Sequence, residues 1–312
     1  MSAEAAPIVA RFAAPTAAES TSIAVLSDLH LSVDGMGSWR VSHRTIDRLE
    51  AAITRLNAVD VDAVLFAGDL VNDALRRQFD VFDERLEALR HPFYAIPGNH
   101  DLFDWGDGES LGFREFERRY TPGRLPVHER IGGIDLIAMS SNPSTRADLA
   151  STWDGHVSEE DLAWLGERLA AAASPVVAIH HALAGTRELW QSSLERLPVD
   201  GGSPEFSNGD AFLDVLQSAG APLVLTGHLH FPAVVNLNGV REYTLPSLGP
   251  YPSGITYVEC GPQGTVVRFE SVADYEERVE AFVHGIDHNR VQISAAQLAG
   301  LPLVDEFEEQ SS

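Results

Sequence analysis

The chain contains no lysine: all 22 of its basic residues are arginine, set against 46 acidic residues and a formal net charge of −24. So negative a balance argues against a nucleic-acid partner and against an anionic membrane surface, because phosphate binding needs clustered cationic side chains. Two origins of the missing lysine stand side by side. One is a salt-adapted cytoplasm, where ionic strength screens the repulsion among excess carboxylates. The other is a GC-rich genome that encodes arginine in its place. Cysteine is nearly absent as well: Cys260 is the single one, which excludes an internal disulfide and thiolate metal clusters. No apolar run approaches the roughly 20 residues of a membrane span. The opening stretch, MSAEAAPIVARFAAPTAAES, carries Glu4 and Pro7 and lacks both a basic start and an apolar stretch. It does not read as a secretory signal, so a cytoplasmic protein is expected.

Apolar residues and histidine are the groups in supply. Apolar side chains make up 44% of 312 residues, enough for a large buried core. There are 12 histidines, so any metal would be held by nitrogen and oxygen ligands.

Short apolar runs alternate with helical patterns. Residues 22–28, 62–69, 92–101, 175–181 and 221–228 read as strands, and paired strands are expected near 126–139. Ile46, Leu49, Ile53 and Leu56 give residues 44–58 helical spacing. Helices are also expected over 75–90, near 109–120, over 157–173 with Ser158 as N-cap, and near 209–219. Asn238-Gly239 between extended segments predicts a hairpin, and GITYVEC and TVVRFESV read as two further strands. Such alternation predicts an α/β sandwich with mixed sheets and helices outside. The expected organisation is an N-terminal lead over 1–21, one domain over 22–272, and an extension over 273–312. That extension looks helical and then acidic; it docks on the body or mediates self-association into a homo-oligomer.

The polar residues that terminate the strands carry the chemistry. The first strand ends in Asp28-Leu29-His30, the second in Gly68-Asp69, and the third in Gly98-Asn99-His100-Asp101. Two later strands end in His180-His181 and Gly227-His228-Leu229-His230. Ligands gather outside the carboxyl ends of parallel strands in α/β sheets, and here each strand delivers a donor to that edge. Singly, each motif has a bland reading as a turn, cap or packed histidine; their ordered recurrence does not. His228 and His230 lie two apart, so an extended segment would point both to one side and send Leu229 into the core.

This ordered set resembles the calcineurin-like metallophosphoesterases, and most closely the branch holding cyclic-nucleotide phosphodiesterases and glycerophosphodiesterases. GHVSEEDLAWL (155–165) resembles the helix found ahead of the His-His strand in that branch. The likeness covers about residues 22–270. It implies a four-layer αββα sandwich of two mixed β-sheets with a dinuclear metal site at the strand C-terminal edge. It further implies that Asp69 bridges the two ions, with Asp28, His30 and His230 on the first and Asn99, His180 and His228 on the second. Two divalent or mixed-valence transition metal ions are expected; imidazole and carboxylate suit Mn, Fe, Zn, Co or Ni without selecting among them. A hydroxide held between the ions is the implied nucleophile, generated near neutral pH by the cations.

By the same resemblance His100 protonates the leaving alkoxide. Asp101 either orients that ring and keeps it protonated or is a simple turn or capping residue. His181 competes with His180, since neighbouring side chains on a strand face opposite ways; the resemblance favours His180. Arg40 and His43 either contact substrate phosphate or sit ordinarily at the surface. His91, His128, His156, His284 and His288, and His43 with them, fit no motif and read as surface or core histidines. Ala182-Leu183 departs from the two prolines frequent in this branch and puts the pocket shape in doubt. The expected activity is hydrolysis of small-molecule phosphodiesters or phosphomonoesters, with substrate choice set by loops 31–43, 102–112 and 182–208. Rival readings are a nuclease of the same superfamily and a non-catalytic binding scaffold on this fold.

Overall fold

The computed structural model describes residues 6–35, 37–103, 109–142, 153–194 and 205–309. Parts of the loops expected to select substrate (36, 104–108 and 195–204) and the last residues of the acidic tail (310–312) lie outside the described residues. The strands are β1 (Ile8–Phe12), β2 (Thr21–Leu26), β3 (Ala63–Ala67), β4 (Phe93–Ile96), β5 (Val127–Ile131), β6 (Ile134–Ala138) and β7 (Pro175–Ile179). They continue with β8 (Leu223–Thr226), β9 (Ala233–Leu237), β10 (Val240–Thr244), β11 (Gly254–Gly261), β12 (Gly264–Ser271) and β13 (Val304–Asp305). The helices are α1 (Thr45–Leu56), α2 (Arg76–Leu86), α3 (Asn99–Leu102), α4 (Phe113–Tyr120) and α5 (Glu159–Ala171). After them come α6 (Ala184–Leu194), α7 (Gly209–Ala219), α8 (Tyr275–His284), α9 (Asn289–Ala299) and α10 (Glu306–Glu309).

The strands form two mixed sheets, ordered β13-β1-β12-β11-β2-β3-β4 and β5-β6-β7-β8-β10-β9. β2, β3 and β4 run parallel in the first, and β6, β7, β8 and β10 run parallel in the second. The period-two alternation of a strand explains the layering. Leu136 and Ala138, Val176 and Ala178, and Leu223 and Leu225 turn into the core shared with the first sheet. Their neighbours Ile137, Val177, Ile179 and Val224 turn outward, onto Leu165 and Leu169 of α5 and Phe212 and Leu216 of α7. On the far side, Leu49 and Ile53 of α1, Phe79 and Phe82 of α2 and Phe116 of α4 cover the first sheet. Helix, sheet, sheet, helix is the expected four-layer order.

Most local expectations match within a few residues. Ser158 caps α5 by accepting from the Asp161 amide at 3.1 Å. Asn238 and Gly239 take φ of 51° and 100° in the β9–β10 turn, the left-handed pair a two-residue hairpin needs. The N-terminal lead is different: Ile8–Phe12 pairs antiparallel with β12 and parallel with β13, so this part of the lead is a strand of the first sheet. Five residues interrupted by Arg11 carry too little pattern to show this, and the pairing comes from partners more than 250 positions away.

Candidate metal centre

The motifs after β2, β3 and β4 leave one sheet and those after β7 and β8 leave the other. Within each sheet these strands are parallel neighbours with their carboxyl ends aligned, and the two sheet edges meet at the centre. Backbone bonds extend the ladders past the strands: Asp28 N donates to Gly68 O, His30 N to Asp69 O and Gly227 N to His180 O. Within this frame Asp28, His30, Asp69, His228 and His230 take φ of 53°, 50°, 53°, 68° and 64°. Left-handed backbone at a non-glycine residue costs on the order of 1–3 kcal/mol, and it clusters where the surrounding structure imposes a site. This corrects the extended segment expected at 228–230. The two imidazoles reach the site from left-handed turns, while Leu229 is buried as expected.

Glycine is required here by close approach. A Cβ on Gly68 would lie 2.7 Å from His180 Cγ and 2.9 Å from the Gly98 amide, and the residue sits at φ 94°. A Cβ on Gly98 would run into Asp69, at its backbone N (2.5 Å) and its carboxylate. The glycines of Gly-Asp and Gly-Asn-His-Asp therefore let two strand ends close on one carboxylate.

Seven predicted donors come together. Ligand atoms of Asp28, His30, Asp69 and His230 lie within 4.8 Å of one another, as do those of Asp69, His180 and His228, and all these residues are buried. Asp69 belongs to both groups. Asn99 joins the second, its Oδ1 3.0 Å from His228 Nδ1. In the first group His30 Nε2 and His230 Nε2 are 3.0 Å apart, and His230 Nε2 is 3.1 Å from Asp28 Oδ1. Asp69 Oδ2 lies 3.6 Å from His30 Nε2 and 3.4 Å from His180 Nε2. Metal bonds of about 2.0–2.2 Å place neighbouring ligand atoms about 2.9–3.5 Å apart, so these separations fit a shared ion. His180 supplies the sharper test. Its Nδ1 lies 2.9 Å from the Ala67 carbonyl, which only accepts, so that nitrogen carries the proton. Nε2 is then the nitrogen left for an ion, buried without a hydrogen-bond partner and turned to Asp69. That is how a ligating histidine is held.

The electrostatics divide the imidazoles. Burial lowers His180, but the Asp69 carboxylate outweighs it and raises that ring to about 9, so without an ion it carries a proton that a metal would displace, whereas the other three are neutral. Burial keeps His30, His228 and His230 well below the ordinary imidazole range, in the neutral form that ligates. Burial alone would raise Asp69, but the imidazoles of His180 and His100 outweigh it and hold the carboxyl well below its usual range. Burial pushes Asp28 up to about 6, even with Ser27 Oγ donating to it at 2.6 Å. Both Asp28 oxygens also accept from the His228 amide at 3.1 Å.

His181 is differently used. Its Nδ1 meets Ser141 Oγ at 2.8 Å and its Nε2 the Trp153 carbonyl at 2.9 Å, so both ring nitrogens are engaged by the protein. His100 Nδ1 lies 2.6 Å from the Asn72 carbonyl, which turns Nε2 toward the site. Asp101 does not touch that ring. Its carboxylate accepts from the Val71 and Gly98 amides at 3.0 and 2.9 Å, so of the two expected uses the capping one is what the geometry contains.

His43 pairs with Glu280 of α8 at 2.9 Å on the surface. His91 meets the Leu56 carbonyl, His128 meets Asp135 and His156 meets Ser207, while the His284 ring lies 6.0 Å from that of His43. His288 is closer to the centre, stacked on Trp39 at 3.8 Å. Trp39 in turn lies 5.2 Å from the His230 ring. Arg40 Nη2 stands 3.3 Å from His100 Nε2. The C-terminal extension contributes residues that sequence reasoning missed: from α9, Arg290 donates to the His228 carbonyl at 2.9 Å and Ser294 to the His230 carbonyl at 3.2 Å. One arginine and one serine in a polar helix carry no local signal of this.

Among known proteins, a probable cyclic nucleotide phosphodiesterase of Psychrobacter sp. is 28% identical over 207 residues, 64% of this chain and 56% of that protein. The chain thus spans little more than half of that relative's length. A probable cyclic nucleotide phosphodiesterase of Synechococcus sp. is 30% identical over 213 residues, 67% of this chain and 73% of the other. The crystal structure of a dimetal phosphatase from Danio rerio shares the fold, with a TM-score of 0.60 at 13% identity over 81% of this chain and 97% of that one. The model of the calcineurin-like phosphoesterases matches residues 21–232, a span that opens just before Asp28 and closes just after His230. Over two thirds of its length, then, and across every residue of both donor groups, this chain belongs to the calcineurin-like phosphoesterase family.

Proposed function

We propose that the chain hydrolyses phosphate esters of small molecules, diesters or monoesters, at two transition metal ions. Asp28, His30 and His230 would hold one ion and Asn99, His180 and His228 the other, with Asp69 common to both. Mn, Fe, Zn, Co and Ni all suit these donors. The observation that carries the reading is the double membership of buried Asp69: a single carboxylate stands between two complete donor groups. When bound, two such ions supply Lewis acidity toward a phosphoryl oxygen and make water nucleophilic near neutral pH.

The chain's own groups do the rest. His100 would pass a proton to the departing oxygen through Nε2, because Nδ1 is committed to the Asn72 carbonyl. That proton would first be taken up there from the attacking water, since burial holds the resting ring below the ordinary imidazole range. Ser27 and the His228 amide keep Asp28 oriented, and the His100 amide does the same for Asp69 at 2.8 Å. Cyclic nucleotides rank first among substrates, as the relatives' names suggest. The net charge of −24 counts against nucleic acid. No helix among the described residues is long and apolar enough to cross a membrane.

The test is turnover of a panel of cyclic nucleotides, glycerophosphodiesters and phosphomonoesters with Mn or Co added, and with Asp69→Asn and His100→Ala as controls. The reading predicts metal-dependent turnover that both substitutions depress. Absence of turnover with every ester, or full rates in both variants, would contradict it.

A further inference from the structure

Many arginines of the chain close on carboxylates, as Arg55 does on Glu270 and Arg241 on Glu306. Buried Arg48, which has no ion pair among the described residues, donates to the Gly249 carbonyl, outside both donor groups. Arg40 and Arg290 close on no carboxylate either: among the described residues neither forms an ion pair, although both stand at the centre. Arg40 makes two long contacts, 3.4 Å to Asn72 Oδ1 and 3.3 Å to His100 Nε2, and its buried Nε has no partner. Arg290 makes one hydrogen bond, to the His228 carbonyl. Both side chains remain partly accessible. Their guanidinium carbons lie 5.2 and 5.8 Å from the same Trp39 ring, whose face holds each by cation–π attraction. Two like charges are thus gathered around one indole, one beside His100 and one beside His228, with most of their donors uncommitted.

We propose that Arg40 and Arg290 form a guanidinium clamp that grips the non-bridging oxygens of the substrate's phosphoryl group at the paired donor groups. The inference rests on the phosphoesterase reading and adds to it the residues that recognise the anion. Guanidinium is planar and forked, matched to phosphate oxygens, and always charged. Charge balance points the same way. Two divalent cations held there would outweigh the carboxylates of Asp28 and Asp69, and the two guanidiniums would then make the opening strongly positive within a chain of net charge −24. Such a spot concentrates anions. Arg290 lies beyond the matched span of 21–232, so the C-terminal extension completes the site rather than merely covering it.

The experiment is calorimetric titration of the metal-saturated protein with inorganic phosphate, beside steady-state hydrolysis of bis-p-nitrophenyl phosphate. Arg40→Gln and Arg290→Gln delete the charge but keep a donor, in the second case for the His228 carbonyl. Each variant is expected to bind phosphate about 10- to 100-fold more weakly, the loss of a charge-assisted hydrogen bond, and to raise KM more than it lowers kcat. Metal content should stay at the wild-type level. A merely structural role would lower the melting temperature or metal retention and leave the phosphate affinity of the saturated protein unchanged; unchanged affinity in either variant overturns the clamp. The two readings fail separately. Arginine-dependent phosphate binding in a protein that hydrolyses no ester removes the activity and keeps the clamp, whereas hydrolysis with arginine-independent phosphate binding removes the clamp alone.

Discussion

Replacing Gly98 with alanine adds a single methyl group at the point where two strand ends close on Asp69. The backbone there is extended, at φ −94° and ψ −178°, so alanine meets no conformational penalty and the effect is purely steric. The new Cβ would lie 2.5 Å from the Asp69 amide nitrogen, where ordinary contact begins at 3.4 Å. Relief requires the two strand ends to part by about 0.9 Å, because a close-packed interior leaves no slack to absorb the overlap. The displaced group is the carboxylate common to both donor groups, and its 2.8 Å bond from the His100 amide is lost in the same movement. Overpacking of this kind costs about 1–3 kcal/mol of stability. A misplacement near 1 Å at a reacting centre costs roughly 100-fold in rate. Metal content by mass spectrometry, melting temperature and hydrolysis of bis-p-nitrophenyl phosphate would measure all three consequences. Gly261→Ala is the control, since a Cβ there meets nothing within 4 Å. Wild-type metal content and rate in Gly98→Ala would refute the reasoning.

Two further outcomes are expected. His180→Ala should lose one ion and nearly all activity, whereas His181→Ala should keep both ions and lose about 1–3 kcal/mol, because Ser141 and Trp153 lose buried partners; metal analysis with denaturant unfolding separates the cases, and equal metal loss in both contradicts the assignment. Burial raises the Asp135 carboxyl, but donors from Ser174, His128, Ala173 and Arg130 outweigh it and hold the pKa below the usual 3.8. A carboxyl lowered in the folded state contributes stability that is present above its unfolded pKa and lost as pH falls through the folded one. The melting-temperature gap between wild type and Asp135→Asn should therefore shrink as pH falls through and below the carboxyl's usual 3.8, and a constant gap would contradict the linkage.

The centre was legible because its residues terminate buried parallel strands. A run such as DAVLFAGD changes from apolar to polar within two residues, and that change marks where a strand leaves the core. Five such changes, each with a metal-binding side chain type, gave the candidate donors and an α/β sandwich, while the assignment of donors to two ions and the four-layer order came from the family resemblance. Backbone conformation was not legible. Spacing alone suggested an extended 228–230, but the left-handed φ values there follow from ladders that begin on other strands. Asp101 shows the same limit: proximity to His100 in sequence suggested a partner, yet the tight turn of α3 sends its carboxylate back to the Gly98 and Val71 amides. Arg290 was beyond reach for a different reason. It arrives at His228 from 62 positions away through the docking of a whole helix, and helical periodicity says nothing about where a polar face lands.

The most direct test is anomalous diffraction from crystals grown with Mn. Two peaks per chain are predicted, one among Asp28, His30 and His230 and one among Asn99, His180 and His228, with the Asp69 carboxylate between them. A single peak, or density away from Asp69, would contradict the account.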